Sequence, residues 1–558
     1  MSELHVRQIK TALHKHFDGL VDVSDCVGGK DDIENAFLTR AQIAFVLAYL
    51  SGETPSEIAP MVTDGFGDNG IDAVFYHASE RVLYIAQSKW RNQGTGSIER
   101  GDLQKFLKGF RDLINARWGK FNTKLTTRSS VVESALLDSS TRIVLVLAYT
   151  GQDALAREIQ DDLQEVVNEV NDPSEIVSTQ VLRQGDIYSA VAQGFEGAPI
   201  DIDLALYDWG QVREPYTAFY GQVAASDVAS WYATHQSRLF APNIRMFLGP
   251  TEVNTTIVES LGAAPQDFWY FNNGITALCR TVIKKPIGGA TRETGYFDCK
   301  DLRVVNGAQT VGAIANAFAH NSEKVMQARV MIRIIELESC PQGFERDITR
   351  FNNTQNRIDR RDFVALDPQQ ERIRNELQLE TVQYVYKSGD VVGSLATGFD
   401  LAEATVARAC QQNDSSLSVQ AKREIGKLWE DIEKAPYEIL FNASVTGPML
   451  WRQVQIVRSV EAALSQYRNE PDGRRRLLAV HGNRFIAHLV MNCLAVGVVN
   501  GAGALDPTAD TQITELTKKV YELTLRSVND NFGEAYLASI FKNATKCRAL
   551  KDTFVCPN

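Results

Sequence analysis

Carboxylate, amide and ammonium side chains lie close together between residues 64 and 90. Asp72 begins a run rich in β-branched and aromatic residues, and Gln87 and Lys89 lie near the end of a second such run. Mg²⁺ accepts carboxylate and amide oxygens, together with a backbone carbonyl such as that of Ser88. A lysine can activate water and offset the negative charge that develops on a phosphate. These residue types indicate a metal-dependent phosphodiesterase site.

Two strands joined by a tight turn must position these side chains. Residues 71–77 and 82–90 have strand-like composition, and the short polar run between them predicts a hairpin turn. This turn places Asp72 directly across from Gln87, and Lys89 on the same face as Gln87. The alternative is an acidic turn that leads into an ordinary buried hairpin.

A basic segment follows the hairpin. Residues 103–128 contain seven lysines and arginines against one acid, and their apolar residues have helical spacing. The pattern predicts an amphipathic helix whose basic face contacts DNA phosphates, although a solvated face is the alternative. The candidate DNA-binding residues are Lys105, Lys108, Arg111, Lys120 and Lys124.

The hairpin resembles the PD-(D/E)XK nuclease superfamily, in particular its Mrr-like branch. The family pattern is an Asp on one strand and (D/E/Q)-x-K on the next, matched here by Asp72 and by Gln87-Ser88-Lys89. The resemblance implies a DNA endonuclease that uses Mg²⁺ or Mn²⁺, with Asp72, Gln87 and Ser88 as metal ligands. Gln87 departs from the commoner carboxylate and so lowers the negative charge of the site.

The same resemblance implies an outer acid supplied by an N-terminal helix. Residues 31–50 have the composition of a mostly buried helix, and Glu34 in its first turn is the candidate. The alternative is a capping box, since Asp31 and Glu34 also have that spacing.

Three amide-rich motifs occur further along the chain. Residues 271–276 read FNNGIT, residues 304–310 read VVNGAQT, and residues 351–357 read FNNTQNR. Together they resemble the hallmarks of the AIPR (abortive infection phage resistance) family, over roughly residues 235–400. The resemblance implies an N-terminal Mrr-like nuclease, which family members often carry.

The second motif predicts a strand, a tight turn at Asn306-Gly307 and a helix from Gln309. Backbone N–H groups at such a helix N-terminus favour an anion, and nearby arginines could hold a phosphate or a nucleotide. Plain turn chemistry is the alternative for each Asn. The candidate ligand-binding or regulatory residues are Asn272, Asn273, Asn306, Gln309, Asn352, Asn356, Arg357 and Arg360.

Composition limits the classes of protein. The chain has 558 residues and a formal net charge of −11, so any DNA binding must come from local basic patches. Eight cysteines without CxxC spacing favour neither a zinc site nor a disulfide framework, and they indicate a reducing cytoplasm. The apolar runs are too short to predict a membrane span.

Three parts are expected: an α/β restriction-endonuclease-like domain over 1–210, with helices flanking a mixed sheet, an α+β central AIPR-type domain over 211–400, and a mostly α-helical region over 401–558. The predicted function is a DNA endonuclease in prokaryotic anti-phage defence. The AIPR-like region would sense a trigger or control assembly. A homo-oligomer and other defence proteins are the expected partners.

A rival interpretation comes from another functional class. A degenerate nuclease fold could serve a non-catalytic DNA-binding or scaffold protein of a defence complex. Gln87 in place of a carboxylate, and the capping alternative for Glu34, favour this rival, whereas Asp72 and Lys89 at the expected spacing favour the enzyme. A weaker interpretation places the chemistry in a polar cleft formed by the three amide-rich motifs of the AIPR-like region.

Overall fold

The fold is known from a computed structural model. The structure describes residues 2–78, 80–138, 140–172, 174–193, 199–235, 239–240, 252–287, 291–341, 343–354, 364–387 and 390–557.

A four-stranded sheet organises the N-terminal part. Its order is β1-β2-β3-β4, in which β1 pairs with β2 antiparallel and the other neighbours are parallel. The strands are β1 (Ala73–His77), β2 (Val82–Lys89), β3 (Arg142–Tyr149) and β4 (Val177–Leu182). The helices are α1 (Ser2–Phe17), α2 (Lys30–Ser51), α3 (Pro55–Ile58), α4 (Arg100–Ile114), α5 (Thr123–Thr126), α6 (Ser129–Leu137), α7 (Arg157–Val170) and α8 (Gln184–Gln193).

Helices cover both faces of this sheet. Tyr84 and Ala86 of β2 point toward α1, α2 and α8, whereas Leu83 and Ile85 point toward α4, α6 and α7. The strands therefore read as nearly continuous apolar runs, as expected of a sheet that is buried on both sides. A mixed sheet flanked by helices agrees with the predicted fold class.

The hairpin forms in the predicted register. Ala73 pairs with Ala86, and His77 pairs with Val82. One residue beyond Ala73, the same register places Asp72 opposite Gln87. Asp72 itself lies just before β1, where its N–H donates a hydrogen bond to the Ala86 carbonyl at 2.8 Å. The strand entrance thus holds Asp72 beside the end of β2.

The predicted amphipathic helix forms over Arg100–Ile114, with its apolar residues buried, but it does not extend through the basic segment to residue 128. Helix α4 ends at Ile114, and Ala116 adopts a left-handed conformation with φ 54°. A short 3₁₀ turn, Trp118–Lys120, and the short α5 follow. A non-glycine residue at positive φ cannot continue a right-handed helix. Three of the five candidate DNA-binding residues, Lys105, Lys108 and Arg111, belong to α4, whereas Lys120 belongs to the 3₁₀ turn and Lys124 to α5.

A second sheet organises the central part. Its seven strands have the order β10-β7-β11-β6-β5-β9-β8. They are β5 (Ile202–Val212), β6 (Ala218–Ala224), β7 (Ile275–Cys279), β8 (Thr281–Lys284), β9 (Thr294–Lys300), β10 (Arg303–Asn306) and β11 (Arg329–Glu336). The helices are α9 (Ala225–His235), α10 (Glu252–Ala263), α11 (Phe268–Phe271), α12 (Ala308–His320), α13 (Ser322–Val325) and α14 (Phe344–Thr354).

The C-terminal part is helical except for one small parallel pair, β12 (Gln383–Val385) and β13 (Gly398–Asp400). Its helices are α15 (Pro368–Leu379), α16 (Leu401–Gln411), α17 (Ser415–Arg423), α18 (Tyr437–Leu440), α19 (Gly447–Ser465), α20 (Gly473–His481), α21 (Asn483–Cys493), α22 (Val496–Val499), α23 (Pro507–Phe532), α24 (Leu537–Ile540) and α25 (Ala544–Asp552). The expected mostly helical C-terminal region is present.

The N-terminal and C-terminal parts share a hydrophobic core, whereas the central sheet packs mainly on its own. One apolar cluster contains Phe106 of α4 and Leu136 of α6 together with Leu478 and Tyr536 of the C-terminal part. The proposed boundary at residue 210 falls within β5, which belongs to the second sheet. The division of the chain into three domains stays a prediction.

Two cysteines depart from the expectation of free thiols. Cys493 at the end of α21 and Cys556 near the chain end form a disulfide, with their Cα atoms 5.6 Å apart. They are 63 residues apart in sequence, so no local spacing could reveal the pair. In the part of the chain that the structure describes, no helix is long and apolar enough to cross a membrane.

Candidate metal centre

Three aspartates bring their carboxylates together in the loop before β1, residues 64–72, which is called the acidic loop. Asp64, Asp68 and Asp72 each place a carboxylate oxygen within 4.8 Å of the others. The Gly70 N–H donates to Asp68 Oδ1 at 2.7 Å, and the Ser88 N–H donates to Asp72 Oδ2 at 2.7 Å. This spacing is close to that of oxygens that share one divalent cation.

Two glycines allow the acidic loop to lie directly on α4. A Cβ atom on Gly70, whose φ is 83°, would lie 2.8 Å from the backbone of Lys105. A Cβ atom on Gly109 of α4 would lie 2.1 Å from the carbonyl oxygen of Asn69. Backbone therefore meets backbone at this contact, and a larger residue at either position would displace the loop.

Positive side chains balance part of the charge of this loop. Arg40 of α2 donates to Asp64 Oδ2 at 2.7 Å, and Lys105 Nζ lies 2.8 Å from Asp68 Oδ1. Asp72 is only 6% exposed. Burial raises the pKa of the Asp72 carboxyl well above its usual value, and the charges of Asp64 and Asp68 raise it further. A cation at this point would favour the ionised form.

Gln87 presents a buried oxygen that lacks a hydrogen-bond partner. Its side chain is 1% exposed, and its Nε2 donates to the Gly70 carbonyl at 3.1 Å and to the Asp102 carbonyl at 3.2 Å. These two acceptors fix which end of the amide carries the nitrogen. Oε1 accepts no hydrogen bond. A buried unpaired amide oxygen beside an acidic loop fits a metal ligand.

Lys89 lies beside the first turn of α4. Its Nζ is 2.8 Å from Asp102 Oδ1, and both side chains are 32% exposed. The Asp102 carbonyl also accepts a hydrogen bond from the Gln87 amide. Asp102 therefore holds the side chains of both Gln87 and Lys89. Lys89 is thus partly accessible to a substrate and is restrained in position.

Ser88 faces the opposite side of the sheet. Its hydroxyl donates to the Thr39 carbonyl at 2.9 Å, and it accepts from Gln42 Nε2 at 3.0 Å. These contacts fasten β2 to α2. The proposed role of the Ser88 carbonyl as a metal ligand stays a prediction.

Glu34 contacts the first helix. Its Oε1 lies 2.7 Å from Lys10 Nζ and 2.9 Å from His14 Nε2. The hydrogen bond from Lys10 lowers the pKa of the Glu34 carboxyl, as does the bond from His14. The alternative capping role is wrong, because α2 begins at Lys30 and the carboxylate at its start that accepts the Gly29 N–H, at 2.9 Å, is that of Asp32.

The hairpin residues Asp72, Gln87 and Lys89 converge on one end of the sheet, whereas the described contacts of Glu34 tie it to α1. Sequence analysis missed Asp64, Asp68 and Asp102 as members of this site. The repeated four-residue spacing from Asp64 to Asp72 in a glycine-rich loop was an available signal. Asp102 carried no comparable local signal.

The predicted DNA-binding residues fall into two groups. Three have acidic partners: Lys105 with Asp68, Arg111 with Glu169, and Lys124 with Asp25. Lys108 and Lys120 are exposed. Their role in binding DNA stays a prediction.

The first two amide-rich motifs lie against each other. Asn272 Oδ1 accepts hydrogen bonds from the Gly274 N–H at 2.8 Å and from Thr310 Oγ1 at 3.3 Å. A Cβ on Gly307, whose φ is 88°, would lie 2.6 Å from the Gly274 carbonyl oxygen. Turn chemistry and close backbone packing therefore explain much of this pattern.

The other candidate ligand-binding residues differ in exposure and in the elements to which they belong. Asn273 is exposed, and Asn306 and Gln309 are half-buried around the start of α12. The backbone of Asn352 belongs to α14. Its side chain, and Asn356, Arg357 and Arg360, lie outside the described residues.

Comparison with known proteins gives one match. Residues 240–480 match the model of the AIPR protein family, which agrees with the resemblance seen in the three motifs and extends it to α20. No curated protein and no solved structure matches the chain.

Proposed function

We propose that this protein is a metal-dependent DNA endonuclease that acts in anti-phage defence of the abortive-infection or restriction type. The defence role is inferred from the AIPR match over residues 240–480. The nuclease role is inferred from the acidic loop and the end of β2.

The unpartnered oxygen of Gln87 carries the nuclease proposal. Leaving a buried acceptor unpaired costs about 1–3 kcal/mol, and a cation bound by Oε1 would remove this cost. The other end of this amide is held by Gly70, which lies between Asp68 and Asp72 in the loop. The oxygen thus belongs to the neighbourhood of the aspartate cluster.

The donor set fits Mg²⁺ or Mn²⁺. Asp72, Asp64 and Asp68 supply carboxylate oxygens, and Gln87 supplies a neutral one. Hard divalent cations prefer such oxygen ligands. A cation held there would act as a Lewis acid toward a phosphate oxygen.

Protein groups supply the rest of the chemistry. Lys89 places a positive charge next to this site, where it stabilises the charge that develops on the phosphate and orients water. Asp102 restrains Lys89 at 2.8 Å and is a positioning residue. Lys108 and Lys120 are exposed beyond the site and are suited to the DNA backbone.

The AIPR-matched part is proposed to sense a trigger or to control assembly. Its last helix, α20, lies against the nuclease part: His481 Nε2 donates to the Leu136 carbonyl of α6 at 2.8 Å, and Arg476 pairs with Glu133. A homo-oligomer and other defence proteins remain proposed partners. Contact between the parts offers a physical route for control.

Plasmid cleavage by the full chain tests the activity, with and without Mg²⁺ or Mn²⁺. We expect cleavage that requires the metal. Lys89→Ala should abolish cleavage and keep metal binding, whereas Asp72→Ala should lose Mn²⁺ binding in calorimetry. Lys15→Ala, an exposed lysine of α1, is the matched control. Cleavage by Lys89→Ala at the unaltered rate would refute the assignment.

One observation favours a non-catalytic DNA-binding or scaffold role instead. Asp64 and Asp68 are already paired with Arg40 and Lys105, as expected of a nuclease fold that works without a cation. Under this alternative, calorimetry detects no Mn²⁺ binding, while DNA binding persists in EDTA.

A further inference from the structure

Helices cover one face of the central sheet. On the other face α14 covers β7, β10 and the end of β11, and among the described residues β5, β6, β9 and the start of β11 are accessible. Phe219 of β6, Phe297 of β9 and Ile332 of β11 are buried in the apolar core with α9, α10 and α12. Along the same strands the alternate residues point the other way, and Tyr220 and Tyr296 are 43% and 40% exposed. A half-covered sheet of this kind presents side chains to a partner.

Three tyrosines cross the accessible face on adjacent strands. Tyr207 of β5 pairs with Gln222 of β6, two residues from Tyr220, and Ala205 pairs with Tyr296 of β9. Tyr220 and Tyr296 are therefore diagonal neighbours of Tyr207 on its two sides. Diagonal neighbours in a sheet are about 7–8 Å apart.

The tyrosine rings are fixed close to the sheet. A Cβ atom on Gly210 would lie 2.2 Å from the ring of Tyr220, so this ring covers the glycine. The guanidinium of Arg329 lies 3.9 Å from the centroid of the Tyr207 ring. Rings held in this way lose little conformational freedom when a flat partner stacks on them.

Two arginines lie next to the tyrosines on this face. Arg333 pairs across the strands with Tyr220, and Arg329 covers Tyr207. The acids at the far end of this face have lysine partners: Asp203 lies 2.5 Å from Lys285, and Asp298 lies 3.1 Å from Lys300. Asp208, an exposed residue next to Tyr207, accepts a hydrogen bond from Gln222 Nε2 at 3.3 Å, so the tyrosine row has two arginines and one carboxylate beside it.

We propose that this face binds single-stranded nucleic acid, with bases stacked on Tyr220 and Tyr296 and phosphates on Arg329 and Arg333. Stacking on aromatic rings together with arginine contacts is the chemistry of single-strand recognition. A surface for a second copy of the chain would be expected to carry a larger apolar centre. This site is separate from the metal centre and goes beyond the proposed nuclease function.

The test uses the full chain in EDTA, so that metal-dependent cutting cannot contribute. Fluorescence anisotropy with labelled 12-nucleotide oligo-dT, oligo-U and a 12-base-pair duplex should show tighter binding to the single strands. Comparing the two single strands assigns the ligand as DNA or RNA. Stronger binding to the duplex would overturn the proposal.

Variants locate the binding. Tyr220→Ala and Tyr296→Ala should each weaken single-strand binding about 5- to 100-fold, because each loses one stacked base. Tyr296→Phe should keep it. Tyr270→Ala, a 75% exposed tyrosine of α11 off this face, is the control. Arg329→Ala should flatten the salt dependence.

Two results would contradict the proposal. One is equal affinity of the double variant Tyr220→Ala, Tyr296→Ala and the unaltered chain for oligo-dT and oligo-U. The other is a dimer that this double variant dissociates in sedimentation while oligonucleotide binding is unchanged, which would assign the face to self-association. Neither result depends on whether the metal centre cuts DNA.

Discussion

At the scale of single residues, the amide of Gln87 sets the charge of the metal centre. Gln87→Glu adds a fourth carboxylate, and we expect Mn²⁺ affinity to rise about tenfold, since affinity at such sites follows ligand charge. Without metal, the added buried charge should lower the melting temperature, and Mn²⁺ should restore it. Calorimetry and thermal melts measure both effects.

The exposed Gln164→Glu on α7 is the matched control, and it should leave both quantities unchanged. Equal Mn²⁺ affinity of Gln87→Glu and the unaltered protein would show that Oε1 is not a ligand.

Asp102 restrains Lys89 through its carboxylate and Gln87 through its carbonyl. Asp102→Asn removes only the ion pair, and we expect kcat for DNA cleavage to fall about 10- to 100-fold with KM nearly unchanged, because a misplaced catalytic group costs about that much. Asp102→Glu should recover part of the rate. A fall confined to KM would instead give Asp102 a role in binding DNA.

At the scale of elements, the close contact between the acidic loop and α4 is open to test. Gly109→Ala would place a methyl group 2.1 Å from the Asn69 carbonyl, so the loop must move. We expect a loss of stability of about 1–3 kcal/mol and weaker Mn²⁺ binding. Chemical denaturation and calorimetry provide the measurements.

Gly101, in the first turn of the same helix, is the control, because a Cβ atom there meets no atom within 4 Å. Gly101→Ala should stabilise the protein by up to about 1 kcal/mol through helix propensity. Similar effects of the two substitutions would mean that the loop contact is not close.

Elements with strong local signals were predictable. The hairpin register followed from two apolar strands and a short turn, and α2 (Lys30–Ser51) covers the predicted helix over residues 31–50. The end of α4 was missed because the turn at Ala116 leaves no pattern in apolar spacing. The regular spacing of Asp64, Asp68 and Asp72 marks them in the sequence, but the convergence of their carboxylates depends on glycine turns and on packing against α4, which the spacing alone does not predict.

At the scale of the whole molecule, the shared core makes the N-terminal part dependent on the C-terminal helices. His481 is buried at their junction and hydrogen bonds to Leu136 of α6. Burial, helped by the charge of Lys422, lowers the pKa of His481 to about 3. The unfolded chain gains a proton on this histidine below about pH 6.5, whereas the folded chain does not.

Stability should therefore fall as the pH drops from 6.5 toward 3, and His481 accounts for about 2 kcal/mol between pH 7 and pH 5. His481→Gln keeps a hydrogen-bond donor but does not titrate. The stability that this variant loses between pH 7 and pH 5 should therefore be about 2 kcal/mol smaller than the loss of the unaltered protein. Urea denaturation at the two pH values measures the difference. His320→Gln, at an exposed site, should behave like the unaltered protein.

Helix α4 is held at both ends. Asp102 near its start holds Lys89, and beyond its end Asn115 donates to the Glu534 carbonyl at 3.2 Å while Arg117 pairs with the Glu534 carboxylate. Its 15 residues span about 22 Å. A helix of this length is stiff along its axis. A displacement of the contacts at Glu534 that shifts α4 along this axis would therefore move Asp102 as well, and would change its ion pair with Lys89 on β2.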